Sequence, residues 1–310
     1  MNHLVSDAKL NIKLNSSLPF LYGQVTVKLM KLIVLCFAFS MPYMLCLTHG
    51  EDAHEDTRFI VSLQADNEGG KHFCGGVFVT LDFVLTAASC VEDKQPQDFW
   101  IVAGTKKLSN KDEQLQLKID KVFSLNPSGR NKVHNNIALL RIETDIPKLE
   151  LHKVHKVELA SDGEDNVAEG KNCKMFGWGQ KELEVKVPSD ILQVGPTQVK
   201  ELDVCRHFQK DVDESNLCTQ NYQAALCYFD AGAPLISESG NYLLGIATEN
   251  FKCSFDNYYD VYTRVNTHKH WIWNTIKTNK KVPSSTAHPK SHAMITGTGI
   301  IIVLIIRTRI

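Results

Sequence analysis

The chain has 310 residues, a formal net charge of -1 and no dense run of Lys or Arg. That length can bury a sizeable core, and that charge balance excludes nucleic acid as the expected partner. Nine cysteines without a CxxC pair or a Cys/His cluster at zinc-ligand spacing favour an oxidising, secretory compartment.

Residues 1–29 read as an upstream extension with little structure of its own. Lys28 and Lys31 precede an apolar run over 32–40 that continues to Leu47, followed by Thr48 and Gly50. A basic start, a short apolar stretch and small or polar residues give the layout of a signal peptide over 30–50, with cleavage near 46–50. An uncleaved signal anchor is the alternative. Residues 47–279 form one compositional unit without internal repeats. Short apolar runs at 59–63, 76–80, 83–86, 99–103, 137–142, 242–247 and 259–265 are separated by Gly, Asn and Asp, which predicts an all-β sandwich or barrel. Residues 268–277 predict one terminal helix. A polar linker over 280–292 follows, then an apolar tail over 293–306 and Arg307-Thr-Arg309. Small residues, a polar spacer and an apolar tail form the pattern of a GPI-attachment signal. The closing arginines fit a short membrane anchor instead. An unprocessed tail is the third alternative.

A series of motifs gives this unit a family resemblance. In order they are Gly50-Glu-Asp-Ala53, Ile60-Val-Ser-Leu-Gln64, His72-Phe-Cys-Gly-Gly76, Val84-Leu-Thr-Ala-Ala-Ser-Cys90 and Asn135-Asn-Ile-Ala-Leu-Leu140. Phe176-Gly-Trp-Gly179, Cys227-Tyr-Phe-Asp-Ala-Gly-Ala-Pro-Leu235, Asp260-Val-Tyr-Thr-Arg-Val265 and Trp271-Ile272 complete it. Each string is weak alone, but their joint order resembles the trypsin-like (S1, chymotrypsin-fold) serine proteases. The resemblance implies an all-β fold: two packed antiparallel six-stranded β-barrels (chymotrypsin-like) with a C-terminal helix and a site in the cleft between the barrels.

Chemistry at such a cleft requires a serine nucleophile, an imidazole to take its proton and a carboxylate to orient that imidazole. By the resemblance, these positions hold Ala231, Ser89 and Asn136. Loss of the nucleophile or the histidine alone costs on the order of a million-fold in rate. Phe229 stands where the family has the glycine of the oxyanion hole. A bulky residue is penalised in glycine-like backbone conformations, so this peptide is expected to turn away. The substrate pocket reads as altered, with Ala225 at its base and Asn250 and Asp260 projecting from its walls. No cofactor and no metal site is expected, and Asp112-Glu113 reads as a solvated face. His72 and His134 read as solvated loop or edge-strand side chains.

Against the family resemblance, activation by cleavage after Lys or Arg is also missing, because neither residue lies between Lys31 and Arg58. The aspartate that pairs with the freed N-terminus in the family is present as Asp230. The resemblance pairs Cys74 with Cys90, Cys205 with Cys218 and Cys227 with Cys253. It leaves Cys173 an odd thiol, because Ser237 replaces its partner. The function implied is a secreted or surface-tethered protease homologue without peptidase activity. Its partner class is an extracellular protein: an active protease, an inhibitor or a protease substrate. Alternatives are an endopeptidase with relocated catalytic residues and a membrane adhesion or scaffold protein.

Overall fold

The computed structural model describes residues 51–65, 70–125, 133–160, 167–182, 185–220, 225–248 and 259–281. After the short β1 (Glu51–Asp52), seven strands build one antiparallel sheet. They are β2 (Ile60–Ala65), β3 (Lys71–Thr80), β4 (Phe83–Thr86), β5 (Phe99–Ala103), β6 (Leu115–Leu117), β7 (Ile119–Ser124) and β8 (Ala138–Ile142), in the order β6-β5-β2-β3-β4-β8-β7. The two edge strands, β6 and β7, are separated in the chain only by Lys118, so the sheet curls until its edges adjoin. Counted as one strand bent at Lys118, they make the six strands that the family resemblance implies.

The second sheet joins β1 to β13 (Gln193–Lys200), β10 (Asn172–Gly177), β15 (Pro234–Ser237), β16 (Tyr242–Ala247), β17 (Asp260–Arg264) and β14 (Asn216–Gln220). Pairing of β13 with β14 closes six of these strands into a barrel. The short β9 (Glu158–Leu159) adds to β16 in parallel, and β11 (Gln180–Glu182) with β12 (Val185–Pro188) forms a separate hairpin. Among the described residues two α-helices accompany the strands, α1 (Leu202–Phe208) and α2 (Val265–Thr278).

Side-chain patterns explain these assignments. Along β13, Gln193, Gly195, Thr197 and Val199 are buried while their neighbours are not, the alternation of a half-buried strand. All four residues of β4 are buried, so its Phe-Val-Leu-Thr run has no polar face to present. In α2, Val265, His268, Ile272 and Ile276 recur at helical spacing and turn one face inward, and Val265, Ile272 and Ile276 join the main core. Phe78, Phe83, Leu85, Ile137, Leu139 and Leu140 are fully buried in that core. Truncating a phenylalanine such as Phe83 to alanine there costs about 3–5 kcal/mol.

The two sheets meet where the site will form. The Gly75 amide in β3 donates to the Ala231 carbonyl at 2.7 Å. A Cβ on Gly75 would lie 2.9 Å from the Ala233 backbone, so only glycine permits this approach. Gly232 turns the chain at φ +79°, a left-handed conformation glycine tolerates, and a Cβ there would overlap the Gly75 carbonyl. The Cys74–Cys90 disulfide ties β3 to the short 3-10 turn Ala88–Cys90, and Cys205–Cys218 ties α1 to β14. Cys227 is also disulfide-bonded, while Cys253 lies outside the described residues. Among the described residues no helix is long and apolar enough to cross a membrane. The apolar segments at 30–50 and 293–306 lie outside them.

Candidate functional site

Ser89 and Ala231 face one recess of about 260 Å³, lined also by Phe73, the Cys74–Cys90 disulfide, Lys94, Tyr228 and Phe229. Asn136, buried in the loop before β8, meets Ser89 from behind. The Ser89 amide donates to Asn136 Oδ1 at 2.9 Å, and Asn136 Nδ2 donates to Ser89 Oγ at 3.3 Å. Thr263 Oγ1 donates to the Asn136 carbonyl at 3.0 Å and fixes the loop from the second barrel. The three positions singled out by resemblance are thus gathered in one place.

Their chemistry is that of neutral groups. The hydroxyl of Ser89 meets an amide donor, which cannot accept its proton, and Ala231 offers a methyl. No imidazole lines the recess among the described residues. A different Ser/Asp/His set occurs at Asp213, whose carboxylate accepts from Ser215 Oγ at 2.5 Å and meets His134 Nδ1 at 2.7 Å. There the serine and the histidine share the carboxylate and not a proton with each other, so His134 does not act as base for Ser215. His134, expected as a solvated loop or edge-strand side chain, is half-exposed and sits against the Asp213 carboxylate.

Phe229 differs from expectation. Its φ of +75° keeps the left-handed conformation that glycine would adopt, instead of turning away. Its carbonyl is held by His72 Nε2 at 3.0 Å. Because a carbonyl only accepts, Nε2 carries the proton, and Nδ1 accepts from Ser62 Oγ at 2.8 Å. Gln64 Nε2 donates in turn to Ser62 Oγ at 3.3 Å. His72 is therefore a buried link and not the solvated side chain the sequence suggests, and burial lowers its pKa to about 4. A left-handed residue with a side chain is strained by about 1–2 kcal/mol, and this chain of hydrogen bonds offsets it.

Asp230 is fully buried beneath the recess. Its carboxylate accepts from Gly179 N at 2.8 Å and from Cys227 N at 2.9 Å. The carboxylate lies so close to Gly177 and Gly179 that a Cβ on either would overlap it, which explains the Gly-Trp-Gly string. Trp178 is buried between them with Nε1 donating to the Lys106 carbonyl at 3.0 Å. Among the described residues no cation pairs with Asp230, and burial pushes its pKa up to about 7.

The expected pocket residues are partly visible. Ala225 is buried, and Asp260 is buried beside it with Oδ1 accepting from Leu226 N at 3.1 Å. Burial, with the nearby Asp230, raises the Asp260 pKa well above the usual carboxylate range. Asn250 lies outside the described residues. Cys173 is a buried free thiol opposite Ser237 in the β10–β15 register, and burial pushes its pKa up to about 12. Asp112 and Glu113 are exposed, and no cluster of three metal-ligating side chains occurs among the described residues.

Comparison with known proteins agrees with this architecture. The family model described as Trypsin matches residues 48–272. The chain is similar to Trypsin epsilon of Drosophila erecta, at 28% identity over 232 residues, 73% of this chain and 84% of that relative.

Proposed function

We propose, on the premise that this chain belongs to the trypsin family, that it binds another protein through its cleft without cleaving it. The observation that carries this reading is the recess holding Ser89 against the Asn136 amide and the Ala231 methyl. Acyl transfer needs a base within hydrogen-bond reach of the hydroxyl, and an amide donor occupies that place.

The cleft is also shaped by bulk where catalysis needs access. Phe229 and Tyr228 stand over the recess, and Asp260 fills space beside Ala225. The surrounding frame is cross-linked: the His72 chain holds the Phe229 carbonyl, and the Cys74–Cys90 disulfide joins the turn that carries Ser89 to β3. Such a frame suits recognition by surface loops on a fixed scaffold. The role is that of a cofactor, decoy or adaptor, secreted or held at the outer cell surface. The partner is an active protease, an inhibitor or a protease substrate.

The test is labelling of the purified full chain with a serine-directed phosphonate, beside a Ser89→Ala variant. The proposal expects no covalent adduct on either protein. An adduct on the unmodified chain that persists in Ser89→Ala points to another nucleophile and overturns the reading.

A further inference from the structure

The hairpin β11–β12 lines one recess through Lys181, Val187 and Pro188 and reaches the edge of the cleft recess through the contact of Lys186 with Tyr228. Consecutive residues of a strand point to opposite faces. Lys186 lies with its ammonium 4.5 Å from the centre of the ring of Tyr228, which lines the cleft recess. Val187, next in the strand and 56% exposed, lines a second recess of about 370 Å³ with Lys107, Lys181, Pro188, Asp190 and Ile191.

The floor of the second recess is already assembled. Lys107 and Ile191 form a β-bridge, and Leu108 N donates to the Asp190 carbonyl at 2.8 Å. The Asp190 carboxylate, the only acidic group lining either recess among the described residues, is taken by Ser109: N–H at 2.7 Å and Oγ at 2.8 Å. Ser189 Oγ donates to the Ile191 carbonyl at 2.6 Å. These polar groups of the floor are therefore hydrogen-bonded internally, and the single negative charge of Asp190 stands against the ammonium groups of Lys107 and Lys181 in the same lining.

The cleft recess has the same character. Its walls are Phe73, Tyr228, Phe229 and a disulfide, and Lys94 holds its ammonium 5.3 Å from the centre of the Phe73 ring. Among the described residues no carboxylate lies within ion-pairing distance of Lys94, Lys107 or Lys186. Lys181 has only a long contact, 3.9 Å, to the half-exposed Asp52. Four lysines thus lie in or beside the two recesses, against the one carboxylate of Asp190 among their described lining residues, on a chain whose overall charge is close to neutral.

We infer that this face binds an extended acidic polypeptide, laid across β12 with apolar side chains in both recesses and carboxylates on Lys94, Lys186, Lys181 and Lys107. This rests on the reading that the cleft binds without cleaving, and it specifies the partner's chemistry. Apolar anchors supply the contact area, while carboxylates select this face and speed encounter. A basic or neutral segment of the same shape leaves the four ammonium groups without partners.

The test uses a fluorescent peptide of about ten residues, extended at roughly 3.3 Å each, that alternates glutamate with leucine or phenylalanine. Its counterpart carries glutamine for every glutamate. Anisotropy with the purified full chain should show the acidic peptide binding at least about tenfold more tightly. Raising the ionic strength to about 1 M, where screening shortens to ~3 Å, should remove most of that difference. Lys186→Glu and Lys107→Glu should each weaken binding several-fold, as should Tyr228→Ala and Val187→Asp, with unchanged thermal midpoints. Equal binding of the two peptides, no binding of the acidic one, or indifference to the lysine reversals overturns the inference. Sensitivity to Tyr228→Ala but not to Val187→Asp or Lys107→Glu also overturns it, because the second recess is then empty. Mass spectrometry of the recovered peptide separates the two claims: a cleaved peptide refutes the non-catalytic reading, whereas an intact, unbound one refutes only this inference.

Discussion

Replacing Asp230 by asparagine should stabilise the protein progressively as pH rises. Asp230 is wholly buried with two backbone N–H donors and, among the described residues, no cation. Its pKa rises from 3.8 in the unfolded chain to about 7 in the fold. The folded state therefore holds a proton between those values more readily than the unfolded one. The destabilisation from the buried charge is complete above pH ~7, on the order of 4 kcal/mol, and fades as pH falls towards 4. Between about pH 5 and pH 8 it changes by roughly 2–3 kcal/mol.

The parent protein alone will not display this change. His72 runs the other way: its pKa falls from 6.5 to about 4, so folding loses roughly 2 kcal/mol by pH ~5 as the unfolded chain takes up its proton. The difference between parent and Asp230→Asn removes the His72 contribution. Asparagine leaves one of the two N–H groups facing an amide donor, at a pH-independent cost of about 1–3 kcal/mol. Urea unfolding of both proteins at about pH 5 and pH 8 should show the asparagine variant gaining roughly 2–3 kcal/mol relative to the parent at the higher pH. A variant that becomes relatively less stable at high pH would refute the reasoning, since Asp230 would then be a charged partner of a cation.

Further outcomes follow from the same contacts. Gly179→Ala places a methyl against the Asp230 carboxylate and should destabilise by at least about 1–3 kcal/mol, read as a lowered urea midpoint. Asn136→Ala leaves the Ser89 amide without its acceptor and should cost about 1–3 kcal/mol in the same assay. Cys173, buried with its pKa near 12, should resist maleimide at neutral pH until denaturant is added. Rapid labelling of the peptide containing Cys173 in the native protein would contradict its placement.

Much of the fold is legible in the sequence because it rests on local pattern. The apolar runs at 59–63, 83–86, 99–103 and 242–247 coincide with strands to within two residues, since alternation and turn residues act over short distances. The gathering of Ser89, Asn136 and Ala231 came from motif order, not from periodicity. What the sequence hid depends on distant neighbours. Phe229 keeps a strained conformation because His72, 157 residues away, holds its carbonyl. A signal for His72 existed: it shares the β3 face with buried Cys74, two residues on, between the exposed Lys71 and the half-buried Phe73. The second recess joins Lys107 to Ile191 through tertiary pairing, and no local string announces it.

The central claim is that a trypsin-family frame here binds without catalysing. Its most direct measurement is peptide turnover by the purified full chain, with a mixed-sequence peptide library read by mass spectrometry. No cleavage above buffer is expected, and none after Ala231→Ser alone, because the Asn136 amide and not a base stands at Ser89. Cleavage by the unmodified chain that disappears in Ser89→Ala would contradict the claim.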